Sequence, residues 1–181
     1  MVDADAVRSF ASGLFILTGF GALWMILGAR LLWGWNWRPL LVIALITLIL
    51  GFSAQKVWTA AKHFANAAPG GASPGFPGVN YGMVTTLEFA LIFALAFALR
   101  RLGRPDLIFQ VVALVVGLHF IPLAAIFHGP IYYGTAAAII LASLGAFVFH
   151  DPALRQGVAC MGCGASLWLT SAVMLRMSGI S

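Results

Sequence analysis

Charge is what this chain has least of. Asp, Glu, Lys and Arg make up 8% of its 181 residues, against a hydrophobic share of 62% and a mean hydropathy of +1.01. That balance excludes a water-soluble domain of this size. Cysteine is scarce too: with two in the whole chain there is no second pair for a four-thiolate zinc site. No phosphate-binding loop, GxGxxG turn, zincin helix or nucleophile elbow occurs, and there is no carboxylate pair for soluble-enzyme acid–base work. Val at position 2 excludes N-myristoylation. The formal charge of +5 would suit a nucleic acid, but the ten Lys and Arg sit mainly at the ends of apolar runs. There they anchor helices and face anionic lipid, so the partner expected is the lipid bilayer and not nucleic acid.

Long apolar runs are what the chain does have. Spanning a bilayer core takes about 20 apolar residues per helix, and six such runs fall at about 10–33, 39–60, 81–100, 106–127, 130–149 and 153–177. They are apolar along their whole length and lack the two-residue alternation of a transmembrane barrel. The fold class expected is all-α, a polytopic bundle of six spans in one transmembrane domain covering 1–181. The first run is too long for a signal-peptide core and no small-residue cleavage site closes it, so it is kept as a span.

In chain order, the leader MVDADAVRS adds little positive charge. The first span carries Gly13, Gly19, Gly21 and Gly28, which permit close helix contact. It ends in a belt of Trp33, Trp35 and Trp37 beside Arg30 and Arg38. The connection at 61–80 is rich in Gly and Pro and reads as a loop. Arg30, Arg38, Arg100, Arg101, Arg104 and Arg155 fall on one side of the membrane, and Arg8, Lys56, Lys62 and Arg176 on the other. The positive-inside rule then puts the first group in the cytoplasm and both termini outside. A weak repeat runs through the even-numbered spans: Pro39, Pro105 and Pro152 open them, followed at equal spacings by Gly51, Gly117 and Gly164 and by Ser53, His119 and Ser166. It fits three tandem helical hairpins in a pseudo-threefold arrangement.

The stretch GLHFIPLAAIFHGPIYYGT, Gly117 to Thr135, gathers histidines, prolines and tyrosines where polar residues are otherwise rare. Glu88 is the one acidic residue inside a span. Counting at about 1.5 Å per residue puts Glu88 and His119 both roughly 10–12 Å below the same interface on adjacent antiparallel helices, so they can meet. An ionisable group at that depth costs several kcal/mol unless paired, protonated or wetted. Lys56 is a second candidate partner for Glu88, and Gln55, Thr85, Tyr132, Tyr133 and His128 fall in the same outer layer. Pro122 removes a backbone donor and frees a carbonyl near Leu118. The expected site is a polar pocket opening outward beneath the Gly/Pro loop, formed by Glu88, His119, Lys56, Gln55, Tyr133 and His128. Two readings of its core stand side by side: a ligand, ion or proton pathway in which His119 titrates beside Glu88, and a hydrogen-bonded pair that only fixes helix register.

Cys160 and Cys163 lie on one helical face and form a CxxC, a redox motif in the right setting. Their depth on the cytoplasmic side favours plain helix packing among Gly157, Gly162 and Gly164. His119, His128 and Glu88 include metal-ligand types, but no HxxxH or HxxEH spacing occurs. His63 and His150 stand at span ends, out of place for a bis-histidine haem. No cofactor is assigned.

The segment GLHFIPLA followed by PIYY resembles a signature of small, uncharacterised bacterial six-span inner-membrane proteins, over about a sixth of the chain. The resemblance implies a bacterial inner membrane and adds weight to His119, Pro122, Pro130 and Tyr133; it attaches no activity. In length and span number the chain is also similar to the substrate-binding subunits of energy-coupling-factor vitamin transporters, although those usually keep their termini in the cytoplasm. The function expected is transport of a small molecule or ion, or substrate binding for a transporter, with a homo-oligomer or partner membrane subunits. The alternatives are a membrane-embedded enzyme acting on a lipid or quinone, and a structural subunit of a larger membrane complex.

Overall fold

The computed structural model describes residues 4–67, 78–127 and 129–178. It contains six long helices: α1 (Ala4–Trp33), α2 (Trp37–Ala67), α3 (Gly78–Arg101), α4 (Ile108–Ile126), α5 (Ile131–Gly145) and α6 (Pro152–Met177). Short 3-10 turns at Pro105–Leu107 and Ala146–Val148 precede α4 and follow α5. The spans long and apolar enough to cross a membrane are Phe10–Trp33, Trp37–His63, Gly82–Arg101, Pro105–Ile126, Ile131–Val148 and Pro152–Met177, within a few residues of those expected. The protein is an integral, multi-pass, all-α membrane protein. One boundary is corrected: the loop expected at 61–80 is helical at both ends, through Ala67 and from Gly78. The Ala-rich run at 60–67 favours helix, so α2 continues past the span; 68–77 lie outside the described residues, as do 1–3.

Local chemistry accounts for the helix ends. Gly34 (φ 65°) and Gly103 (φ 69°) take the left-handed conformation that ends α1 and α3. The Asn36 side chain accepts from the Arg38 amide at 3.0 Å as α2 begins. Asp151 caps α6, its carboxylate accepting from Leu154 N at 2.7 Å with Pro152 in the first turn. Arg30 and Arg38 lie over Trp35 and Trp37, at 4.7 and 5.8 Å from the ring centres.

The closest seam in the bundle joins α1 to α6. A Cβ built on Gly164 would stand 2.8 Å from the Gly21 carbonyl, and one on Gly28 would stand 3.0 Å from the Gly157 carbonyl. The two glycine pairs, seven residues apart on each antiparallel helix, let the backbones nearly touch. Thr18 and Ser171 hydroxyls share a hydrogen bond of 2.9 Å across this seam, and Trp168 Nε1 donates to the Thr18 carbonyl at 3.2 Å. The Thr135 and Thr170 hydroxyls, 2.6 Å apart, tie α5 to α6. At the end where α4 and α6 begin, Arg155 pairs with Asp106, which Arg104 also reaches at 3.2 Å. Gln110 is fully buried beneath them, and in the amide orientation that satisfies both ends its oxygen accepts from Arg155 Nε at 3.1 Å.

The three hairpins α1/α2, α3/α4 and α5/α6 each pack as pairs, and α4 packs on α5 as α6 does on α1. The expected threefold equivalence stops there, because α2 and α3 form no comparable contact among the described residues. Gly51 faces open space where Gly117 and Gly164 are tightly packed. α2 lies against α1 and the edge of α6, whereas α3 leans on α4 and the turn before it. No residue in the apolar window of α3 is buried.

Candidate functional site

α1 and α3 do not pack together to any comparable extent, and a cleft of about 360 Å³ lies between them with α4 as its floor. On α1 its wall runs from Ser12 to Leu27, about 22 Å at 1.5 Å per residue. Along α4 it runs from Ile108 to Phe127, just past the helix end, and on α3 from Thr85 to Ile92. Most of the lining is apolar, with Phe20, Trp24, Phe89, Phe109 and Phe120 supplying aromatic surface. At the end nearer the α4–α5 turn Phe120 stacks on Tyr132 with ring centres 6.1 Å apart, and Phe127 lies 5.6 Å from the same ring. A polar pocket was expected; the site is an apolar slot with a small polar group inside it.

That group is centred on Glu88 and His119. His119 Nδ1 stands 3.4 Å from Glu88 Oε2, with the two side chains 10% and 13% exposed. This is ion-pair distance, but the contact lacks hydrogen-bond geometry, and His119 Nδ1 has no hydrogen-bond partner among the described residues. One turn nearer the start of α3, Thr85 Oγ1 is also buried and has no hydrogen-bond partner among the described residues. By contrast, the hydroxyls of Thr47, Ser53, Thr59, Thr135, Ser143 and Ser166 each donate to a carbonyl of their own helix. Thr85 and His119 Nδ1 are therefore two unspent polar atoms bordering one cavity. His119 lies eight residues before Phe127, about 12 Å, and ten residues after Phe109, about 15 Å, so the polar group is near mid-slot.

The remaining expected site residues distribute differently. Gln55 and Lys56 are exposed on α2 and take no part in the cleft walls. Their helix packs on α1 through Ala54, Val57, Ala61 and Trp58, the last edge-on to Phe15 at 6.2 Å. That face of α1 is turned away from the slot, so matching depth does not bring Lys56 to Glu88. Tyr133 is half exposed, whereas its neighbour Tyr132 is buried and lines the cleft. Successive helical residues point about 100° apart, which makes the choice between adjacent tyrosines one of helix azimuth. His128 lies outside the described residues. Cys160 and Cys163 are free thiols, fully buried in the main core cluster and apart from the cleft walls. No group of three or more metal-ligating side chains occurs among the described residues.

What sequence reasoning missed is the slot itself and the orphaned state of Thr85. The signal available for Thr85 was its position one turn from Glu88 on the same face. Chemically, the arrangement holds one carboxyl group, one imidazole and the hydroxyls of Ser12, Thr85 and Tyr132 along a low-dielectric groove. It can receive an elongated apolar molecule and hydrogen-bond or exchange a proton with a polar group part-way along it. Comparison of the chain with protein-family models, with curated proteins and with solved structures finds no match.

Proposed function

We propose that this protein takes a lipid-soluble molecule from the bilayer into the cleft between α1, α3 and α4, and engages its polar part through Glu88, His119 and Thr85. The observation that carries this reading is the pairing of a mostly apolar slot with unsatisfied polar atoms at its middle. An ion or sugar pathway needs a wet, polar lining, whereas an apolar slot rewards an apolar occupant through the area it removes from water or lipid. A side opening between α1 and α3 suits entry from the membrane plane. Membrane-embedded acid–base chemistry on the bound molecule is the enzymatic form of this reading, with Glu88 and His119 as the couple.

A second reading, transport of a small solute or ion through the same residues, rests on the depth of the Glu88–His119 pair, since ionisable groups inside spans commonly mark pathways. The resemblance of GLHFIPLA and PIYY supports placement in a bacterial inner membrane. Six of the ten Lys and Arg gather at the ends that carry the Asp106–Arg155 pair, which supports a cytoplasmic position for that face and termini outside.

The test is to fill the slot. Val116→Trp places an indole in the cleft wall; mass spectrometry of organic extracts from extensively washed protein should show a retained lipid-soluble compound in the parent and its loss in the variant. Equal retention in both proteins overturns the proposal.

A further inference from the structure

The chemistry of the cleft also restricts what kind of molecule it takes, and this restriction rests on the function proposed above. Its walls carry no Lys or Arg among the described residues. A phospholipid would bring its phosphate into an apolar slot with no cation to meet it. A fatty acid would bring a second carboxyl group beside Glu88, and two carboxyl groups so close cannot both ionise without strong repulsion. The head of the occupant is therefore neutral. The Thr85 hydroxyl can donate to a neutral head, and so can His119 in the tautomer that carries its proton on Nδ1, which a Glu88 carboxylate oxygen 3.4 Å away favours over a facing lone pair. Two donors bordering one cavity call for acceptors, and carbonyl oxygens supply them without a proton of their own to place.

The apolar part is restricted too. Phe20, Trp24, Phe89, Phe109 and Phe120 present ring faces and edges along the slot, surfaces that favour flat or unsaturated partners over saturated chains. The slot runs well beyond the polar group toward Phe109 and also opens sideways, so a tail attached to the head has room to continue. We propose that the occupant is a quinone: a neutral, planar ring whose carbonyl oxygens accept from Thr85 Oγ1 and His119 Nδ1, with Glu88 beside the imidazole and the isoprenoid tail lying along the aromatic wall. The proposal concerns binding and requires no electron transfer.

The probe is decylubiquinone, titrated into the purified full chain in lipid nanodiscs and followed by quenching of tryptophan fluorescence. Trp24 lines the cleft, and the other five tryptophans provide the background. Expected is a saturable quench that is absent in Trp24→Phe and that needs about tenfold more quinone in Thr85→Val. The latter change removes one donor and preserves shape, and its thermal unfolding should match the parent. Palmitate and a short polyprenol should fail to displace the quinone. Non-saturable quenching, an unchanged midpoint in Thr85→Val, or displacement by palmitate or polyprenol each overturns the quinone assignment. If Val116→Trp still strips a retained compound while decylubiquinone does not saturate, the slot is a lipid site and only this inference falls. If Val116→Trp strips nothing, the function proposed above falls with it.

Discussion

At the scale of single residues, the Glu88–His119 contact makes a two-way prediction about stability. Replacing His119 with Leu leaves Glu88 in an apolar wall without its partner, and breaking a buried pair in this way costs about 3 kcal/mol. Replacing both with Leu removes the need for pairing and should recover most of that loss, as apolar replacements of buried pairs often do. Thermal unfolding in detergent of His119→Leu, Glu88→Leu and the double variant checks this; a double variant no more stable than the worse single one rejects it. The pair was legible in the sequence because ionisable residues inside spans are rare and adjacent antiparallel helices fix depth. Lys56 was misplaced by the same count, since depth carries no information about which way a helix face points. The choice between Tyr132 and Tyr133 failed for the same reason.

At the scale of helices, the α1–α6 seam depends on glycine at defined places. Gly164→Ala would push a methyl group to 2.8 Å from the Gly21 carbonyl, a backbone atom with no freedom to rotate away, and overpacking of this kind costs about 1–3 kcal/mol. Gly51 has nothing within 4 Å of its added Cβ, so Gly51→Ala should stabilise α2 by about 0.5–1 kcal/mol through helix propensity alone. Opposite shifts in melting temperature are expected, and shifts of the same sign would reject the seam. The spans themselves were readable within a few residues because length and apolarity are set by the bilayer. The repeat of Pro, Gly and polar residue was readable as well, yet its three copies pack differently: one glycine meets isoleucines, one meets α1 and one meets nothing. Leu, Val and Phe look alike in sequence whether they face lipid, a neighbouring helix or a cleft, which is why the slot was invisible.

For the molecule as a whole, orientation can be read with thiol reagents. Cys160 and Cys163 are fully buried, so they should stay unlabelled by a membrane-impermeant maleimide. Asn36→Cys should label only in inverted vesicles and Met177→Cys only from outside; the reverse pattern inverts the topology. The packing of α3 carries a mechanical consequence. A panel fastened along one edge swings, and α3 is fastened to α4 while its other side borders the slot. Spin labels on α1 and α3 should therefore give a broader distance distribution than labels on α1 and α6, whose glycine seam holds them together; equal widths would make the slot rigid. If the widths differ as expected, the bilayer around α3 sets the aperture of the slot, and access to Glu88 and His119 should then follow lipid packing.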